Sequence, residues 1–470
     1  DLLFKFYKMK YLTLISLLSI LYLNNSFSQS VEFEEYKLDN GLHIILHQDN
    51  SAPVVSTGLM FHVGAKNEDS KKTGFAHFFE HLLGKETKNM ASGEWYKILS
   101  SNGGNGNAMT SVDMTYYYAV MPSNSLRLGL WRYSEIMLSP VIDQQGIDIQ
   151  REAVKEEKRM RDNQPYSRFY EALKSNLFKK HTYKNPLIGV PEHLDNAKLQ
   201  DFLDFRANFY MPSNAVFVVA GDIDIDNTKK LISEYFSEVP AAPKMKREIV
   251  IEDPILEEIR AIEYDPNIQI PAIIMGFKTP SMKSRDAVIL DFISTYLSDG
   301  PSSKLYKKMV DKNKTAIEVQ AISIGHEDYS MYALLALPLG ETELSQLISE
   351  IEEEVVKIQK NLISENLIKK KKKVKNPGSS AIFKERVIEF SRNKIFFSKK
   401  LYLRAIISDL STYFLIITFI IYFNYLDKLN LQIVFWSFTI AFLIGTIISF
   451  PIIFTLNYIY LIGCRNFSII

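Results

Sequence analysis

The chain has 470 residues, with 55 Lys and Arg against 54 Asp and Glu, for a net charge of +1. That length can bury two cores of ordinary size. The near-neutral balance gives no electrostatic case for nucleic acid. A single cysteine, Cys464, cannot form an intramolecular disulfide and leaves the redox compartment open.

In chain order, residues 1–28 read first as an address. Met9-Lys10-Tyr11, the apolar run Leu12 to Leu23 and the small-residue step Ser26-Phe27-Ser28 predict a secretory signal peptide. Export to the periplasm or the medium follows from it. Val31 to Leu59 alternates like paired strands, with Asp39-Asn40-Gly41 as a hairpin signal. Gly103-Gly104-Asn105-Gly106 is a turn-rich loop with no phosphate role. Helical stretches follow around Leu126–Met137 and Gln144–Arg161, and an apolar run near Val216–Ala220 closes a first domain over residues 32–239. Pro240-Ala241-Ala242-Pro243-Lys244 is a linker.

A second unit, residues 245–368, repeats the order. It has strands near Ala272–Phe277 and Tyr332–Leu337, and helices at Ala287–Leu297, Ser302–Val310 and Glu341–Gln359. Residues 369–400 form a lysine-rich linker containing Lys369 to Lys373. Residues 401–470 predict a membrane hairpin, with spans at Leu410–Leu426 and Ile433–Leu456. The fold class expected is α+β: two similar domains, each an antiparallel sheet with helices packed on it, the second truncated, followed by two transmembrane helices.

The chemistry begins at His77-Phe78-Phe79-Glu80-His81. Two imidazoles four apart share one face of a helix, with a carboxylate just before the second. This H-x-x-E-H spacing is a zinc-peptidase arrangement, and its chance occurrence in a chain this long is roughly one in a hundred. A catalytic zinc takes three protein ligands and a water, so a third ligand is required. Gln150 to Met160 contains no Gly or Pro and reads as a helix. Ala153, Val154 and Met160 mark its inward stripe, and Glu157 falls on it. Glu156 is turned about 100° away. Glu157 is the expected ligand and Glu152 the spare, against the bland alternative of a solvated charged helix. The other histidines (His43, His47, His62, His181, His193 and His326) read as surface or packing residues.

Gly74-Phe75-Ala76-His77-Phe78-Phe79-Glu80-His81 resembles the signature of the pitrilysin/insulinase peptidases, a family that includes the mitochondrial processing peptidases. Asn107-Ala108-Met109-Thr110-Ser111-Val112-Asp113 resembles that family's strand beside the site. Phe209 to Ala215 and Val218 to Asp222 are similar to its first-domain closure. The resemblance covers residues about 32 to 340 and implies one Zn²⁺ held by His77, His81 and Glu157, the last seventy-six residues beyond His81. It implies Glu80 as general base on the zinc-bound water, with Asn107, Ala108 and Thr110 binding peptide substrate as an added strand. Gln150 stands where the family often has a second glutamate, so it can hydrogen-bond near the ligands but brings no charge. Lys304 and Ile317 stand where many members carry an Arg/Tyr pair that grips substrate. The resemblance therefore implies a second homologous subunit that supplies the grip.

The tail departs from that pattern. Lys399, Lys400 and Arg404 before the first span and Arg465 after the second place both ends of the hairpin in the cytoplasm, whereas the leader exports the peptidase part. The conflict predicts that residues 369–470 are joined at the lysine tract by a reading error. If they belong, they tether the protein to a membrane. The expected function is zinc-dependent hydrolysis of extended peptides. The alternative is a non-catalytic structural or assembly subunit of a peptidase-like complex.

Overall fold

The structure is a computed structural model and describes residues 31–243, 247 and 250–360. The leader, the lysine-rich linker and both expected membrane spans lie outside the described residues. Among the described residues no helix is long and apolar enough to cross a membrane.

The first unit is built on a six-stranded sheet of order β1-β2-β6-β3-β5-β4. Its strands are β1 (Glu34–Lys37), β2 (His43–Gln48), β3 (Val54–Phe61), β4 (Asn105–Thr110), β5 (Thr115–Pro122) and β6 (Ala215–Gly221). The β1–β2 hairpin turns at the predicted Asp39-Asn40-Gly41, and Gly41 takes a positive φ of 92°. The sheet is mixed, which corrects the purely antiparallel expectation: β2 and β6 run parallel. Strand β6 returns from a long helical excursion and enters between β2 and β3, pairing antiparallel with β3.

Alternation along the central strands builds two apolar layers, because successive side chains leave opposite faces. Ile44, Leu46, Leu59, Phe61, Tyr117, Phe217 and Val219 join the large core on one face. Ile45, Met60, Tyr116 and Val218 form a smaller cluster on the other. Against the large core pack α1 (Phe75–Lys85), α2 (Glu94–Ser101), α3 (Leu126–Leu138) and α4 (Gln144–Asp162). Beyond α5 (Phe169–Leu177) and the short α6 (Pro191–Asn196), α7 (Leu199–Phe209) and α8 (Ile225–Phe236) complete the layer. Phe75 and Phe78 of α1 meet the ring of Phe202 on α7 at 4.7 and 4.8 Å between centroids. That aromatic packing leaves the opposite face of α1 for its histidines.

The second unit has a three-stranded antiparallel sheet, β7 (Ile273–Pro280), β9 (Tyr329–Pro338) and β8 (Ala316–Ile324), in the order β7-β9-β8. Helices α9 (Arg285–Ser298) and α10 (Leu344–Lys360) flank it, and Tyr306–Lys312 is a π-helix. β8 is additional to the predicted strands. Its pairing shifts between Ala316 and Glu318, so the alternation that marks a strand breaks at its start. The two units meet through an apolar seam, with Ala65, Val112, Leu173 and Leu177 against Met331 and Ala333.

Candidate metal centre

The centre begins with the anchoring of α1. Its cap residue Gly74 has φ 93°, and a side chain there would meet the Ile188 carbonyl oxygen at 2.4 Å, so only glycine fits. The buried Glu68 carboxylate accepts from Gly74 N at 2.7 Å and from Ala76 N at 2.8 Å. Acceptor oxygens at the amino end satisfy N–H groups that the first turn leaves free. At the other end Arg132, only 2% exposed, donates to Leu83 O at 3.2 Å and Gly84 O at 2.6 Å. Between the ends, the Tyr117 hydroxyl donates to Phe79 O at 2.8 Å. The helix is thus held at both termini and along its length.

The second element is α4, started by Asp143, whose side chain accepts from Gly146 N at 2.7 Å. Its buried face is Ile147, Gln150 and Val154, and Glu157 continues it one turn further. This corrects the predicted stripe: Ala153 is exposed and Met160 is 63% exposed. Val154 and Glu157 carry the inward face without them. Glu156 points outward to Arg159. Glu152, the spare, is exposed and paired with Lys155 at 3.2 Å.

The two helices bring His77, His81 and Glu157 together. Glu157 Oε2 lies 3.5 Å from His77 Nε2 and 3.3 Å from His81 Nε2, and the three ligand atoms are all within 4.8 Å of one another. Tetrahedral zinc with bonds of about 2.0–2.1 Å separates its ligand atoms by about 3.3 Å. The two contacts of Glu157 match that, so the residues fit a zinc ion. Glu157 Oε1 faces Arg161 at 3.5 Å. Burial pushes the Glu157 carboxyl up, but the bonds and charges of the two histidines outweigh it and hold it well below the usual carboxylate range. His77 Nδ1 is buried without a hydrogen-bond partner among the described residues, whereas a metal-holding histidine ordinarily donates from that atom.

Glu80 is half-buried, and its Oε2 accepts from the Thr110 hydroxyl at 2.6 Å. The candidate substrate residues lie on β4, the edge strand of the sheet. Asn107 is exposed, and its Oδ1 accepts from Ala108 N at 2.9 Å. The Thr110 side chain is buried, with its hydroxyl on Glu80. Gln150 is 6% exposed, two turns before Glu157. Lys304 is exposed with its ammonium 5.5 Å from the Tyr296 ring, and Ile317 is 45% exposed. His43 and His47 lie on strand β2, as expected.

Three of the remaining histidines belong to a charged seam between the units that local patterns do not reveal. Lys66 reaches Asp113 at 2.8 Å, Glu327 at 2.7 Å and Asp328 at 3.4 Å. His62 pairs with Glu327, His181 lies 3.3 Å from Asp328, and His326 lies 3.8 Å from Asp113. Glu68 and Arg132 were also missed. The one available signal for Glu68 was an acidic residue just ahead of a helix start.

The profile of the insulinase family of peptidases (M16) matches residues 43–190, and that of the peptidase M16 inactive domain matches residues 196–375. The zinc protease PqqE of Helicobacter pylori is 29% identical over 340 residues, covering 71% of this chain and 76% of that protein. A crystal structure of a protease from Helicobacter pylori aligns with a TM-score of 0.66 at 28% identity, over 77% of this chain and 86% of the other. The periplasmic protease PqqL of Escherichia coli shares the fold at 20% identity with a TM-score of 0.62. It covers 73% of this chain, which spans 39% of PqqL.

Proposed function

The chain belongs to the M16 family of insulinase-type peptidases, and on that premise we propose that it is a zinc-dependent endopeptidase acting on extended peptides. His77 Nε2, His81 Nε2 and Glu157 would hold the ion. Bound there, zinc supplies a Lewis acid and brings the pKa of a water towards neutrality. Glu80 takes the proton of the attacking water and returns it to the leaving amine. The exposed edge of β4 at Asn107 and Ala108 receives the peptide as an added strand, so main-chain bonds favour extended, unstructured substrates. One observation carries this reading: donor atoms from two helices far apart in sequence converge at 3.3 and 3.5 Å.

A second homologous half completes the site in this reading. The chain spans 39% of PqqL, and Lys304 and Ile317 do not reproduce the family's substrate grip. The leader pattern, with a periplasmic protease among the structural neighbours, supports export.

The rival reading is a non-catalytic subunit, and those same two positions favour it. Zinc analysis and peptide cleavage by the full chain, alone and with a homologous partner, beside Glu80→Gln, decide between them. Cleavage lost with zinc retained in the variant supports the enzyme. Wild-type protein that binds zinc and cuts nothing with the partner present supports the rival.

A further inference from the structure

The hydroxyl of Thr110 is the one hydrogen-bond donor recorded for Glu80 among the described residues, at 2.6 Å to Oε2. Three features make it a fixed point. Thr110 is 7% exposed, so it has no competing water shell. It ends β4 directly before a tight turn in which Ser111 Oγ accepts from Asp113 N and Met114 N, both at 3.1 Å, and Ser111 N donates to Met114 O at 2.8 Å. Just past it, Asp113 is tied to Lys66 at 2.8 Å and accepts from Glu327 N of the second unit at 2.9 Å. The strand end is therefore tied to the Lys66 segment ahead of α1 and to the second unit.

We infer that Thr110 is a positioning residue: its hydroxyl holds one oxygen of Glu80 and leaves Oε1 free for proton transfer. A carboxylate with one oxygen held by a donor keeps a single rotamer, and a small misplacement of a catalytic group costs rate far more than it costs folding. Because Thr110 belongs to β4, the strand expected to register the peptide also registers the base. A bland account is available, in which a buried hydroxyl takes the nearest acceptor without consequence. The two accounts differ in what they predict for kcat.

This inference rests on the peptidase reading, and the test separates the two. Thr110→Val, Thr110→Ser and Glu80→Gln are compared with the full-length wild type for zinc content, kcat, KM and crystal structure. The expected result for Thr110→Val is full zinc, an unchanged KM and a kcat lower by about tenfold to a hundredfold. Thr110→Ser, which keeps the donor, recovers most of it. In the crystal, the Glu80 carboxylate leaves its position in Thr110→Val and keeps it in Thr110→Ser. A Thr110→Val crystal with Glu80 unmoved overturns the inference whether or not cleavage is measurable. So does a loss confined to KM, or a Thr110→Ser variant as slow as Thr110→Val. Wild-type protein that cuts nothing overturns the peptidase reading, and Glu80→Gln that cleaves like wild type removes Glu80 as the base, while the crystal comparison still judges the tether.

Discussion

Single side chains decide the metal centre, and neighbours on one helix separate cleanly. Glu152, Glu156 and Glu157 lie within six residues, yet only Glu157 faces the imidazoles. Replacing a group that merely supports a ligand typically weakens metal binding by about 10- to 100-fold, and loss of a direct ligand must exceed that. Glu157→Gln is expected to lose zinc through dialysis against a weak chelator, whereas Glu152→Gln keeps it. Metal analysis by mass spectrometry checks both, and equal retention would count against the assignment. This part of the site was legible because a helix repeats every 3.6 residues. His77, His81 and Glu157 announce their shared faces locally, although the stripe read for α4 included Ala153 and Met160, which the structure exposes. The Thr110 hydroxyl was not legible. A residue at the end of a strand carries no mark of the helix it touches.

Elements show how the metal-bearing helix is kept in place. Helix α1 ends on two buried polar side chains, Glu68 at its start and Arg132 at its finish, and the Arg132 charge has the sign that complements the dipole. Burial pushes the Glu68 carboxyl up to about 8, outweighing the two backbone N–H bonds that favour its charge. The folded protein therefore holds a proton that the unfolded chain releases once pH exceeds about 4.5. Stability from this group is complete below that pH and falls as pH rises towards 8. Glu68→Gln is expected to remove that part of the decline. It should also cost about 1–3 kcal/mol, because the amide places an N–H against a backbone donor. Thermal unfolding between pH 5 and 9 reads both effects. Arg132→Met is expected to cost about 2 kcal/mol by leaving the Leu83 and Gly84 carbonyls without their donor, measurable by urea unfolding. Neither clamp was legible, since folding alone brings Glu68 round a turn and Arg132 from α3. Helices α1, α3, α4, α9 and α10, the strands β2, β3 and β6 and the β1–β2 hairpin were legible through their periods, whereas α2, α5, α6, α7 and α8 were not read from the sequence. The early irregularity in β8 removed the same signal there.

Across the whole molecule, the charged seam sets how the second unit meets the edge strand. Lys66, Asp113 and Glu327 come from segments more than two hundred residues apart at the extremes, and no periodicity links them. The β8–β9 turn presents His326, Glu327 and Asp328 to Lys66, Asp113 and Tyr183 of the first unit. Burial pulls the His326 imidazole down to about 4, helped by Lys174 and Lys66 and opposed by Asp113. The unfolded chain takes up that proton near pH 6.5, so stability is complete above 6.5 and is lost as pH falls towards 4. Glu327 acts in the same direction: burial raises it, but the His62 contact with Lys66 and Lys283 outweighs burial and holds it below the carboxylate range. Its contribution is present above about 4.5 and lost below. Acid should therefore loosen the seam in two stages, first through His326 and then through Glu327. His326→Gln cannot titrate, so its unfolding free energy is expected to fall by up to ~3 kcal/mol less than that of wild type between pH 7 and 4.5. Denaturant unfolding at half-unit pH steps measures the difference. Parallel curves for the two proteins across that range would show that the proton of His326 does not govern the joint.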